Sequence, residues 1–173
     1  SKVISFSLRK RLKPKSKFKV KLINYKRTEA EFKNLKYKKI LKQLSKINTS
    51  SSDIALCVNK KILESATSNI LFVKENKIFS PIKDFYKGIT LNFFEKSLGK
   101  IAKENIFIKA LNNYDEIILV GSGKGVVSVE SIKQPKWERK SLKTYRFLSK
   151  IYNRAVTKCP LYNSWSIIPI ILK

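Results

Sequence analysis

The chain has 173 residues, enough for one ordinary domain or for a domain with an arm. Hydrophobic residues make up 43% and aromatic residues 11%, which excludes a generally disordered chain; the absence of histidine excludes Ser–His and Cys–His catalysis and His-ligated metals. Lysine and arginine total 38 against 12 acidic residues, a formal charge of +26, which is either the footprint of a polyanion binder or the background of a Lys-rich proteome.

Residues 1 to 17 are basic and contain Pro14, so they read as an arm or an edge strand. Phe18 to Tyr25 alternates apolar and basic residues and predicts a strand. From Glu29 to Ile47 the spacing predicts a helix, with Leu35, Ile40, Leu41, Leu44 and Ile47 on one face. Asp53 to Val58 is an apolar run and predicts a buried strand, with Cys57 as a small core residue. Short strands are expected at Lys61–Leu63, Ile70–Val73 and Lys77–Phe79. Gly88 opens a predicted helix through about Lys103. Strands follow at Ile106 to Leu111, Glu116 to Val120 and Val126 to Ile132, and a last amphipathic helix at Trp137 to Val156. The apolar tail beyond Cys159 is broken by Pro160 and Pro169 and is expected to pack on the body. The elements predict a mixed α/β (α+β) chain: a basic segment over residues 1–24 and a domain over 25–173.

Cys57 and Cys159 fit neither zinc spacing nor a CxxC redox motif, so no metal site is expected. No apolar run approaches the ~18 residues of a membrane-crossing helix, and Ser1 to Lys10 has no signal-peptide core. A cytoplasmic, reducing compartment without a membrane partner is the expectation. The chain contains no methionine, so either the initiator is removed or the sequence is a piece of something longer.

Three polar segments interrupt the apolar pattern. Glu64-Ser65-Ala66-Thr67-Ser68-Asn69 is a polar stretch headed by a carboxylate between two strands. Gly88-Ile89-Thr90 stands where a helix begins, and free N–H groups, the helix dipole and a hydroxyl there suit an anion. Gly121-Ser122-Gly123-Lys124-Gly125 combines close backbone approach with a hydroxyl. Taken singly, each also reads as something plainer: a solvated charge, a helix cap, a turn.

Their order resembles the pyridoxal-phosphate-dependent class IV aminotransferase and 4-amino-4-deoxychorismate lyase family. Lys33-Asn34-Leu35-Lys36-Tyr37 resembles its Lys-x-Leu-Asn-Tyr segment, and Asp53-Ile54-Ala55-Leu56 its Asp-Glu-Ala-Leu strand. Glu64 to Ile70 resembles its Glu-Gly-x-x-Ser-Asn-Ile block. Ser80-Pro81, Gly88-Ile89-Thr90 and Glu116 to Val129 resemble the elements that follow, so the likeness covers roughly residues 25 to 156. Lys36, Ser65, Leu91 and Ser128 depart from the usual Asn, Gly, Arg and Pro, which marks a divergent member.

The resemblance implies the C-terminal, pseudo-barrel-like domain of a fold-type IV enzyme, whose N-terminal domain residues 1 to 24 are too short to supply. It implies pyridoxal 5'-phosphate as cofactor, bound covalently by Lys33, which also shuttles the proton. Glu64 would pair with the pyridinium nitrogen. Gly88, Ile89 and Thr90 would hold the phosphate, Ser122 and Gly123 would complete the phosphate and substrate-carboxylate site, and Tyr37 would lie near the cofactor. Outside that resemblance, Lys33 reads as one more cation on a basic helix, and Tyr37 as a core aromatic on a helix face. A small-molecule substrate and a homodimer are the implied partners. The spacing from Lys33 to Tyr37 looks like the lyase and D-amino-acid aminotransferase branches, and the Gly125-Val126-Val127 segment looks slightly more like the lyase, which eliminates pyruvate from aminodeoxychorismate to give 4-aminobenzoate for folate synthesis. The alternatives are a D-amino-acid or branched-chain aminotransferase, an inactive truncated remnant, and a nucleic-acid-binding domain that uses the basic arm and loses affinity steeply with salt.

Overall fold

Along the central strands, alternate side chains join different apolar clusters, and that alternation decides the layering. The computed structural model describes residues 13–159 apart from Leu35 and Lys100. Its strands are β1 (Phe18–Asn24), β2 (Ser52–Val58), β3 (Lys61–Ser65), β4 (Asn69–Lys74), β5 (Lys77–Pro81), β6 (Ala102–Glu104), β7 (Ile106–Phe107), β8 (Glu116–Gly121), β9 (Gly125–Ile132) and β10 (Trp137–Glu138). Three helices complete it: α1 (Lys38–Leu44), α2 (Ile89–Leu98) and α3 (Lys143–Thr157).

The strands form one mixed sheet in the order β6-β5-β4-β8-β9-β1-β2-β3-β7, with β10 added to β9. β1 runs parallel to both β2 and β9; β4, β8 and β9 pair antiparallel. Ile70 and Phe72 of β4, Ile117 and Leu119 of β8, Phe18 and Val20 of β1, and Ala55 and Cys57 of β2 meet in a single cluster, so the sheet wraps around it. The intervening residues face outward and are covered by helices. Leu71, Val73, Ile118 and Val120 pack with Leu91 and Phe94 of α2 and Leu148 of α3. Ile54 and Leu56 pack with Ile40 of α1. Each fully buried Leu, Ile or Phe contributes ~1.5–3 kcal/mol, so the doubly covered β4–β8 centre is the anchor of the domain. Burial pushes the Cys57 thiol up to about 12, which makes it an inert core residue.

The mixed α/β class stands, but four expected elements are shorter than their periodicity suggests. The helix expected from Glu29 begins only at Lys38. Glu29 adopts a left-handed φ of 49°. Asn34 Nδ2 donates to the Thr28 and Glu29 carbonyls at 3.0 and 3.3 Å, and its Oδ1 accepts from Lys36 N–H at 3.0 Å. This local bonding takes backbone groups that a helix would use. Leu41, expected on the inward face, is 60% exposed. The strand expected at Ile106 to Leu111 pairs over two residues and becomes a 3-10 turn, Ile108–Asn113. The last helix starts at Lys143 rather than Trp137, because Trp137 and Glu138 pair with β9 and the Trp137 indole donates to the Tyr114 carbonyl at 3.0 Å. α2 also stops early: Gly99 takes the left-handed conformation that ends a helix. The tail beyond Cys159 and residues 1 to 12 of the basic arm lie outside the described residues.

Glu116 ties α3 to the sheet. Its Oε1 accepts from Thr144 N–H at 2.8 Å and Ser141 Oγ at 3.1 Å, and its Oε2 from Tyr145 N–H at 2.8 Å. A buried carboxylate therefore satisfies the first N–H groups of α3, although it comes from a strand. Glu116→Ala is expected to cost about 1–3 kcal/mol, measured by equilibrium denaturation, with helical signal from α3 lost first.

Candidate active site

The antiparallel pairing of β4 with β8 places Asn69 beside Val120, so the turn before β4 and the turn after β8 share one end of the sheet. A cavity of about 380 Å³ opens there. Of the residues that the sequence singled out, Lys33, Tyr37, Glu64, Gly88, Ile89, Thr90 and Ser122 all line it. Gly123 does not; it is exposed next to Ser122 in the same turn.

Lys33 stands on the irregular segment before α1, not on a helix, with an exposed side chain. Glu64 is near the end of β3 and 5% exposed. Its partner was not legible as such: Arg27 Nε donates to Glu64 Oε1 and Arg27 Nη2 to Oε2, both at 2.6 Å, in a bidentate fork. Arg27 also donates to Tyr37 Oη at 3.0 Å and to the Ala30 carbonyl at 3.1 Å. It thus joins the carboxylate, the tyrosine and the segment that carries Lys33. Burial raises the Glu64 carboxyl above its ordinary value, against the downward pull of Arg27 and of Tyr86 N–H. The sequence did hold one signal: Arg27 is the only arginine between residues 12 and 138 of a chain that otherwise uses lysine there. A planar fork that is always charged suits a buried carboxylate better than an ammonium does.

Asn69 organises the next wall. Its Nδ2 donates to the Tyr86 carbonyl at 2.6 Å, and its Oδ1 accepts from Gly88 N–H at 2.9 Å. A Cβ at Gly88 would stand 2.9 Å from that same oxygen, so only glycine allows the approach. α2 starts immediately afterwards with no side-chain cap, and Gly88, Ile89 and Thr90 face the cavity. Its first N–H groups have no partner within the helix. Opposite, a Cβ on Gly121 would be 3.0 Å from Ser68 Oγ, which is buried without a hydrogen-bond partner among the described residues. A helix N-terminus with open donors, a hydroxyl on Ser122, a buried carboxylate and a primary amine thus surround one space. That donor set fits an anionic, nitrogen-containing aromatic group such as pyridoxal phosphate. Among the described residues no group of His, Cys, Asp and Glu could hold a metal ion, and no helix is long and apolar enough to cross a membrane.

The sequence pattern of the family described as amino-transferase class IV matches residues 3–132. The chain belongs to the class IV aminotransferase family. No curated protein sequence matches it. Among solved structures it is similar to a branched-chain amino acid aminotransferase from T.th., complexed with N-(5'-phosphopyridoxyl)-L-glutamate, at 18% identity and a TM-score of 0.71, covering 88% of this chain and 56% of that one. It is similar to the Escherichia coli branched-chain aminotransferase, at 17% identity and a TM-score of 0.67, covering 81% and 52%. A Legionella pneumophila protein described as a candidate 4-amino-4-deoxychorismate lyase gives 18% identity and a TM-score of 0.62, covering 86% and 59%. The likeness fixes the fold, and the chain spans little more than half the length of these enzymes.

Removing Arg27 leaves the Glu64 carboxylate buried without its counter-ion. Arg27→Met is expected to cost ~3–5 kcal/mol at neutral pH. The loss shrinks on acidification: Glu64 then keeps its proton in the fold, and a carboxyl raised by burial favours the folded state below its raised pKa and disfavours it above. Denaturation at about pH 5 and about pH 8, on either side of neutrality, checks the sign, with the variant closer to the wild type at the lower pH.

Proposed function

We propose that this chain forms the cofactor-binding half of a pyridoxal-phosphate enzyme. The observation that carries the reading is the convergence of Lys33, Glu64, the N-terminus of α2 and Ser122 on one cavity. When bound, the cofactor supplies an electron sink for a carbanion next to nitrogen. Lys33 Nζ holds the cofactor covalently and moves a proton to and from the substrate carbon. Glu64 meets the ring nitrogen and keeps it protonated, while Arg27 fixes the orientation of the carboxylate. The N–H groups of Ile89 and Thr90 and the hydroxyls of Thr90 and Ser122 take the phosphate, with Gly88, its own N–H held by Asn69, giving the close approach. Tyr37, held by Arg27, flanks the ring.

For the reaction itself we propose 4-amino-4-deoxychorismate lyase, in which pyruvate leaves and 4-aminobenzoate remains. The Gly125-Val126-Val127 segment and the likeness to the Legionella pneumophila structure support it, and the spacing of Lys33 and Tyr37 is compatible with it. A second reading, transamination of an apolar amino acid, is favoured by the cavity wall: Ile40, Leu41 and Leu44 of α1 and Ile89 of α2 line it. The working assembly on either reading is a cytoplasmic homodimer, by likeness to the family.

An absorption spectrum of the purified protein with pyridoxal phosphate tests the cofactor. A band that the wild type shows and Lys33→Ala lacks is the expected result, with turnover reduced about 100- to 10,000-fold in the variant. Pyruvate released from aminodeoxychorismate without an amino acceptor identifies the lyase; amino transfer to a 2-oxo acid without pyruvate release identifies the aminotransferase.

A further inference from the structure

Lys124 sits in the Gly121–Gly125 turn, where a lysine facing outward would meet a phosphate directly. It faces the other way. Its Nζ is 3.2 Å from Asp53 Oδ2 and 5.0 Å from the Phe18 ring centroid, and the two charged side chains are 6% and 0% exposed. Neither residue lines the cavity. Asp53 Oδ2 also accepts from Thr67 Oγ1 at 2.5 Å and lies 3.2 Å from Ser65 Oγ, and Oδ1 accepts from Ile54 N–H at 2.8 Å. Ser65 and Thr67 do line the cavity, as do Gly121 and Ser122 on the lysine's own turn. A single buried carboxylate therefore holds two hydroxyls of one wall and the lysine of the other.

We propose that Asp53 and Lys124 are a positioning pair that fixes the Ser65–Asn69 turn and the Gly121–Gly125 turn against each other, and so sets how tightly the cavity holds a phosphate. The inference rests on the phosphate assignment above. Its physical basis is that a buried ion pair with its remaining lone pairs satisfied behaves as a rigid unit, whereas a buried carboxylate that loses its cation reorganises its other partners. The two turns also lie close: a Cβ added at Gly121 would stand 3.0 Å from Ser68 Oγ.

The test uses Lys124→Met, Lys124→Arg and the charge-free pair Asp53→Asn with Lys124→Met. Inorganic phosphate and pyridoxal phosphate are the probes, and amide hydrogen exchange of the ligand-free protein is the independent readout. Lys124→Met is expected to weaken binding of both probes about tenfold, a change of ~1.4 kcal/mol, and to speed exchange in residues 65 to 69 as well as 121 to 125. Lys124→Arg restores the affinity to within about threefold, because it keeps the charge. The double variant is no weaker than Lys124→Met alone, the non-additivity of two residues acting as one. Unchanged affinity in a folded Lys124→Met protein overturns the proposal. Faster exchange confined to 121 to 125 also overturns it. A wild type that binds neither probe sinks the cofactor reading instead, and the exchange pattern then decides the tether by itself.

Discussion

The bidentate pair between Arg27 and Glu64 is the constraint around which the candidate site is built. Glu64 is near the end of a strand in the body of the sheet, and Arg27 is on the segment that leaves β1. Their two 2.6 Å bonds pin that segment, and with it Lys33, to the floor of the cavity. Both charges are out of water, so neither tolerates loss of the other. The carboxylate keeps lone pairs beyond those that Arg27 uses, and so remains able to accept one further proton donor from the cavity.

Behind that pair, the sheet supplies the rigidity that a precise site needs. β4 and β8 are buried on both faces, and the turns that line the cavity spring from their adjacent ends. Asn69 holds the approach to α2, and Asp53 holds the two turns. The glycines at 88 and 121 matter for space rather than for torsion: a Cβ would stand 2.9 Å from Asn69 Oδ1 at the first and a tight 3.0 Å from Ser68 Oγ at the second. Polar side chains with satisfied partners thus set the cavity shape on elements that apolar burial fixes.

Much of this was legible in the chain. The strands at Asp53, Ile70 and Glu116 are apolar runs with few competing interpretations, and they form where expected. Glu64, Gly88 to Thr90 and Ser122 came from three polar interruptions that the sheet brings to one end, whereas Lys33 and Tyr37 were singled out only by the family resemblance. What periodicity missed depends on specific hydrogen-bond partners, local ones for the helix and distant ones for Trp137. The helix before Lys38 is prevented by bonds from Asn34, and Trp137 is drawn into the sheet by Ile132 and Tyr114. Arg27 and Lys124 are cations in a chain full of cations, and only the fold shows that these two are buried against carboxylates. The large positive charge therefore conceals, among the described residues, two buried structural cations, Arg27 and Lys124.

The central claim is that one lysine in this Lys-rich chain bonds the cofactor. Borohydride reduction of the protein mixed with pyridoxal phosphate, followed by peptide mass mapping, tests it most directly. The account predicts a single pyridoxyl adduct on Lys33, abolished by Lys33→Ala and by excess inorganic phosphate. Adducts spread over the exposed lysines, with Lys33 no more modified than its neighbours, would contradict it.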